Sequence, residues 1–277
     1  LDNWANAAVR AVLEALTEFL PVSSTGHLFL FSFFFPFQPV GRDPLGFEDL
    51  YDIFIQTGAI ASVVFLYRKK FLQEFRSVLA MAFYGAKETQ GRDFFRNIAV
   101  GVAPILFFGF AFKSHLDSIK ANQYLLGILG TTWIVGGLVM ILVENLTHSP
   151  KPLHTKMAIW IGLIQVLALL PGVSRSAATI IAGRLQGLSK TDAAEFSFFL
   201  AVPVLTLAGI YKLFKYKSLL TGEALQLLFL GSILSFVLCI FVIRLFLAFL
   251  KKQSFVAFGI YRIVIGIAVL LYFFLSK

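Results

Sequence analysis

Leu20-Pro21-Val22-Ser23-Ser24-Thr25-Gly26-His27 interrupts an apolar run that begins near Ala7 and resumes from Leu28 to Phe35. Pro21 has no amide hydrogen and breaks an α-helix where it stands, and the hydroxyl cluster behind it adds polar groups that hydrocarbon cannot solvate. The leading half, Ala7 to Leu20, has about 14 residues, or roughly 21 Å of helix, against a hydrocarbon layer about 30 Å thick. That is too short to cross. The stretch therefore reads as a re-entrant helical hairpin that enters and leaves a membrane by one face, its broken backbone covered by protein or water.

The same grammar returns at Pro171-Gly172-Val173-Ser174-Arg175-Ser176, between the apolar halves Met157 to Leu170 and Ala177 to Leu185. Composition agrees with a membrane setting. Of the 277 residues 58% are hydrophobic and 14% charged, with 32 Phe and a mean hydropathy of +0.83, whereas a soluble domain carries roughly 25% charged residues. A disordered chain, a coiled coil and most soluble enzymes are excluded. The single cysteine, Cys239, rules out a disulfide framework and a Cys-based metal knuckle. Leu1 to Arg10 lack a basic start followed by a small-residue cleavage site, so no signal peptide is expected.

Six further stretches are apolar over the roughly 17–25 residues that a crossing needs, or close to it: Asp49 to Tyr67, Phe95 to Lys113, Ala121 to Val143, Glu195 to Leu213, Glu223 to Leu250 and Phe255 to Leu275. Each hairpin is followed by three of them. A hairpin adds no net crossing and three is odd, so the second copy must enter upside down. The expected fold is an all-α polytopic membrane protein with an inverted-topology repeat, each half a re-entrant helical hairpin plus three transmembrane helices. The expected organisation is a single membrane domain, 1–277, with a first repeat over 1–145 and a second over 146–277.

The net charge of +9 does not point to nucleic acid, because the basic residues sit in gaps between apolar runs, where they set orientation. Arg68, Lys69, Lys70, Arg76, Lys87, Arg92 and Arg96 crowd the connection after the first crossing and place it on the cytoplasmic side. Lys212, Lys215 and Lys217 then fall on the outer side, against the rule. Arg244 and Arg262 are read as snorkelling near span ends, and Arg184 as interfacial.

A few polar groups lie where lipid is expected. Glu14 and Glu18 are four apart and share one face of the first half-helix, an arrangement that calls for a proton, a metal ion or a cation as partner; the alternative is a solvated pair near the surface. Ser23, Ser24, Thr25 and Gly26 can cap a helix, and His27 can move a proton near neutral pH. His27 is the histidine in an apolar setting, while His115, His148 and His154 fall in connecting loops. The alternative for this cluster is a capping motif with a hydrogen-bonded histidine. Arg175 offers a planar fork for two phosphate oxygens, with Ser174, Ser176 and Thr179 near it and a helix N-terminus behind. Its alternative is a structural ion pair, one of the glutamates being a candidate partner. Together the two clusters read as a phosphate site with an acid–base set attached.

Glu14-Ala15-Leu16-Thr17-Glu18-Phe19-Leu20-Pro21-Val22-Ser23-Ser24-Thr25-Gly26-His27 resembles the first signature of the bacterial undecaprenyl-pyrophosphate phosphatases, the bacitracin-resistance family. Pro171-Gly172-Val173-Ser174-Arg175-Ser176 through Thr179 resembles their second. Ile55-Gln56-Thr57-Gly58-Ala59-Ile60 and Glu195-Phe196-Ser197-Phe198-Phe199-Leu200-Ala201-Val202-Pro203 extend the likeness over essentially the whole chain, with Ala15 and Ala177 standing where the family has Gly. The resemblance implies an enzyme of the bacterial inner membrane that removes the terminal phosphate of a C55 polyprenyl diphosphate, its site facing the periplasmic side. It implies catalytic roles for His27, Ser24, Glu14, Glu18 and Arg175, and substrate binding by Ser174, Arg175, Ser176 and Thr179, to which the capping cluster adds Ser23 and Thr25. His27 is the expected general acid/base, with transient acceptance of the phosphate as its alternative role; Ser24, which His27 would activate, is the second candidate nucleophile, and direct attack by water stays open beside a covalent phosphoenzyme. Glu14 and Glu18 are expected either to position a divalent cation, Mg2+ or Ca2+, or to tune the proton on His27. Expected partners are the lipid diphosphate, the bilayer and, as the oligomeric candidate, a second copy in a homodimer. Two other classes compete with this reading. A flippase of polyprenyl phosphate could use the same residues, whereas a phosphatidate-phosphatase-type enzyme would need a histidine where Ile181 stands.

Overall fold

The computed structural model describes residues 1–38, 43–84, 90–120, 123–144, 150–220 and 222–276. Among them the regular elements are all helical: α1 (Asn3–Thr17), α2 (Ser24–Phe34), α3 (Pro44–Leu66), α4 (Arg68–Tyr84), α5 (Gln90–Ala111), α6 (Lys113–Lys120), α7 (Leu125–Glu144), α8 (Thr155–Gln165), α9 (Arg175–Leu185), α10 (Lys190–Lys215), α11 (Gly222–Leu250) and α12 (Val256–Leu275). Single 3-10 turns follow α8 and α10. Six of these helices, α3, α5, α7, α10, α11 and α12, are long and apolar enough to cross a bilayer, which makes the chain a multi-pass membrane protein. They coincide with the six stretches marked in the sequence. Lys87, Ala121 and His148 lie outside the described residues.

One connection differs from expectation. The basic segment after α3 forms helix α4, since 68–84 contains no Gly or Pro to stop it. It packs against α5 and leaves Leu72, Phe75 and Phe83 exposed.

Helix α1 is amphipathic in the inside-out sense that hydrocarbon demands. Asn6, Arg10 and Glu14 recur every fourth residue and are buried, while Trp4, Val9, Val12 and Leu16 cover the opposite, exposed face. Asp2 starts the helix by accepting from the Ala5 amide at 2.7 Å. The buried stripe lies between α3 and α11. There Arg10 pairs with Glu48 and Asp52 and donates to Asn6 at 2.7 Å.

Helices α7 and α12 pack closely along their length. Two glycines on each helix, seven residues apart, face each other. A Cβ at Gly137 would lie 2.5 Å from the Gly259 carbonyl oxygen, and one at Gly266 would lie 2.8 Å from that of Gly130. Hydrocarbon provides no hydrophobic drive between helices, so this close backbone approach is what holds the pair. It also fixes Trp133 on α7 and Tyr261 and Arg262 on α12 beside the two chain breaks.

Candidate active site

Both breaks end at the N-terminus of a short helix. Ser23 caps α2 through its hydroxyl, which accepts from the Gly26 amide at 3.4 Å; its own backbone is left-handed, φ 77°. A non-glycine residue in that region stores on the order of 1–3 kcal/mol and persists only where its surroundings impose it. Here the Ser23 carbonyl accepts from the His27 amide at 3.2 Å and from His27 Nδ1 at 2.7 Å. Gly26 passes so close to Trp133 that a Cβ would sit 2.6 Å from the indole. In the second break Gly172 takes φ 85°, and Ser174 caps α9 by accepting from the Ala177 amide at 3.1 Å.

The two breaks are bonded to each other. Ser176 donates its hydroxyl to the Leu20 carbonyl at 2.8 Å and lies 2.9 Å from the Ser174 hydroxyl. Arg262, read from sequence as snorkelling near a span end, is instead 1% exposed. Its guanidinium donates to the carbonyls of Pro21 at 3.3 Å, Thr132 at 3.1 Å and Gly172 at 3.2 Å. It therefore clamps the first break, α7 and the second break together. The correction has a simple cause: Arg262 is the seventh residue of α12, about 10 Å in from the helix start, and Gly136 leaves room for its head group.

Glu18 stands at the centre of the site. Its Oε2 accepts the Ser24 hydroxyl at 2.5 Å, and its Oε1 accepts Arg175 Nη2 at 2.9 Å. The side chains of Glu18 and Arg175 are only 7% and 9% exposed. The sequence alternative of an Arg175–glutamate pair is thus realised, but as part of a chain, hydroxyl to carboxylate to guanidinium, that draws on both breaks. Arg175 Nη1 donates to the Ser197 carbonyl at 2.9 Å, while its buried Nε has no acceptor. Thr179 bonds the Ser197 hydroxyl at 2.7 Å and the Arg175 carbonyl at 2.9 Å, so it braces Arg175 from below. Thr25 is exposed at the rim.

Glu14 is fully buried, and neither of its carboxylate oxygens has a hydrogen-bond partner. A buried carboxyl group in this condition requires a proton or a cation. A divalent ion fits the donor set: Glu14 is free to ligate, Glu18 lies four residues on along the same face, and phosphate oxygens and water could complete a shell of hard oxygen ligands. Among the described residues no group of three or more His, Cys, Asp or Glu side chains is placed to form a cage from protein alone.

His27 and Ser24 do not meet as the sequence spacing proposes, since Ser24 is bonded to Glu18 and both ring nitrogens of His27 are engaged elsewhere. Its Nδ1 faces the Ser23 carbonyl, and its Nε2 lies 2.7 Å from the Tyr261 hydroxyl. Sequence reasoning missed Tyr261, Ser197 and Arg10. For Arg10 a signal was present, as it stands four residues before Glu14 on the face that carries the glutamates. Ser197 lies in the Glu195–Pro203 stretch that carries the family likeness, without being singled out there, and for Tyr261 nothing marks it out.

These features define a polytopic α-helical membrane protein whose two broken helices enclose a buried serine–carboxylate–arginine site. The family described as Bacitracin resistance protein BacA matches residues 7–268, and the chain belongs to that family. A protein of Leptospira biflexa serovar Patoc named undecaprenyl-diphosphatase is 54% identical over 276 residues, covering 99% of each chain. One of Leptospira borgpetersenii serovar Hardjo-bovis with the same name is 50% identical over 98% of each. A Flavobacterium johnsoniae protein, again so named, is 37% identical over 98% of this chain and 97% of its own.

Proposed function

We propose that the chain is an integral membrane phosphatase that hydrolyses undecaprenyl (C55 polyprenyl) diphosphate to the monophosphate and inorganic phosphate, returning the lipid carrier to cell-wall synthesis. The observation that carries this reading is the shared carboxylate: Glu18 takes the Ser24 hydroxyl on one oxygen and Arg175 on the other. A hydroxyl nucleophile, a base and a fixed positive charge are what phosphoryl transfer asks of a protein. The names of the relatives agree with it.

In this mechanism Glu18 accepts the Ser24 proton as Oγ attacks the terminal phosphorus. The bond from phosphorus to the bridging oxygen breaks, and polyprenyl monophosphate leaves. Water then cleaves the phosphoserine, releasing inorganic phosphate and restoring the hydroxyl. Arg175 neutralises charge on the transferring group, using the Nε that has no protein acceptor, and the N-terminal amides of α2 and α9 add donors and a favourable dipole. Ser174, Ser176 and Thr179 keep the second break in register with the first. A divalent cation, held by Glu14 with Glu18, would supply further charge neutralisation at the phosphates.

The architecture belongs to the same proposal. Both broken helices are taken as re-entrant hairpins, since the first halves, α1 at 15 residues and α8 at 11, make only about 22 and 16 Å of helix against about 30 Å of hydrocarbon. Helix pairing supports an inverted repeat over 1–145 and 146–277: exchanging the halves turns α1 on α11 into α8 on α5, and α3 on α11 into α10 on α5, while α3–α10 and α7–α12 map onto themselves. The basic residues of α4, Arg68, Lys69, Lys70 and Arg76, support a cytoplasmic position for that side of a bacterial inner membrane, with the site toward the periplasm. Of the outer lysines that oppose this, Lys212 is paired with Asp49.

Release of phosphate from polyprenyl diphosphate by the purified protein in detergent, where there are no two sides, tests the reading. A carrier would bind the lipid and release none.

A further inference from the structure

The imidazole of His27 is 8% exposed and lies between two rings, Trp133 at 5.0 Å and Tyr261 at 5.7 Å, the latter almost parallel at 8°. Its Nδ1 is 2.7 Å from the Ser23 carbonyl oxygen, which can only accept, so in the neutral ring Nδ1 carries the proton. Nε2 is then the acceptor, and the group 2.7 Å away is the Tyr261 hydroxyl. Tyr261 follows no motif. It comes from α12, far from both breaks in sequence, and the residue is 43% exposed.

We infer that Tyr261 is a positioning residue for the phosphatase reaction: its hydroxyl fixes the tautomer and plane of His27, and through His27 it holds the strained Ser23 carbonyl that starts the helix bearing Ser24. The inference rests on the phosphatase reading above. Ser23 accepts twice from His27, so a ring that flips or changes tautomer releases one of the two bonds that keep Ser23 left-handed. Ser24, the next residue, would then lose its line to Glu18. The Tyr261 hydroxyl can also rotate about its C–O bond. If the imidazole takes up a proton at Nε2, the phenol oxygen accepts from the new N–H, the ring becomes an imidazolium and Tyr261 stays neutral, with neither ring moving. Arg262 on the same helix is the neighbouring fixed charge, but it is committed to backbone carbonyls.

Tyr261→Phe keeps the stacked ring and removes only the hydroxyl. Imidazole nitrogen NMR of protein carrying isotope-labelled histidine, with the His27 signals assigned by their loss in His27→Gln, reads the tautomer directly and without substrate. The wild type should show His27 with Nδ1 protonated and Nε2 as an accepting nitrogen, and Tyr261→Phe should show a second tautomer. Phosphate release by Tyr261→Phe should fall roughly 5- to 10-fold in kcat, the loss expected for one neutral hydrogen bond, with KM within about 2-fold. A wild-type ring protonated at Nε2 alone would overturn the inference. So would a Tyr261→Phe variant with the wild-type nitrogen signature and wild-type kcat. Failure of the wild type to release phosphate would count against the phosphatase reading only, because the wild-type tautomer is scored apart from turnover.

Discussion

Arg175 and Glu18 form an ion pair that joins the two broken helices, and its removal has two separable costs. In Arg175→Met, Glu18 keeps the Ser24 hydroxyl but loses the guanidinium at 2.9 Å, and the neighbouring Glu14 still lacks a donor. Leaving a buried charge without its partner costs about 3–5 kcal/mol. Glu18→Gln is milder, at about 1.5–3 kcal/mol, because the amide can still accept from Arg175 while the charge-assisted bond is lost. In the double variant neither ion remains to be left alone, so the combined loss should fall short of the sum by about 1–3 kcal/mol. Reversible unfolding in mixed detergent micelles, followed by helical signal across the four proteins of the cycle, measures that difference. Phosphate release should fall at least a hundredfold in each single variant, about what loss of one transition-state donor costs for Arg175 and loss of the base for Glu18. Losses of stability that add within about 0.5 kcal/mol would refute the argument, since uncoupled sites behave that way.

Three other outcomes follow from the geometry. Ser24→Ala should lose at least about a thousandfold in phosphate release if the hydroxyl is the nucleophile, as proposed, and about 1.5–3 kcal/mol of stability, because Glu18 Oε2 loses its donor. Arg262→Met removes the donor shared by the Pro21, Thr132 and Gly172 carbonyls; it should lower stability by about 2–4 kcal/mol and weaken turnover with it, read by the same unfolding assay. Gly26→Ala places a methyl 2.6 Å from a fully buried indole and should cost about 1–3 kcal/mol by overpacking, with a shift in Trp fluorescence as the local check.

Much of this site is legible in the sequence because the membrane makes charge conspicuous. Pro21 and Pro171 announce the breaks, the six crossings stand out as unbroken apolar runs, and Glu14, Glu18 and Arg175 are marked by lying at the two breaks, between apolar halves. What escaped depends on tertiary placement. Spacing points Ser24 at His27, yet the turn at Ser23 swings its hydroxyl onto Glu18 and leaves the imidazole facing α12. Arg262 was judged by its nearness to a span end, when the tight glycine packing of α7 on α12 draws it inward. Tyr261 carries no signal of its own in a chain that is 16% aromatic. Helix α4 was hidden by its charges, which mark a connection but do not prevent a helix.

Transfer of the phosphate to Ser24, with Glu18 as its base, is the central step of the proposed mechanism. Rapid quenching of the purified protein with polyprenyl diphosphate radiolabelled in the terminal phosphate examines this directly. Label should appear on Ser24 as an acid-stable, base-labile phosphoester that is absent from Ser24→Ala. An acid-labile phosphohistidine at His27, or sustained phosphate release by Ser24→Ala, would contradict it.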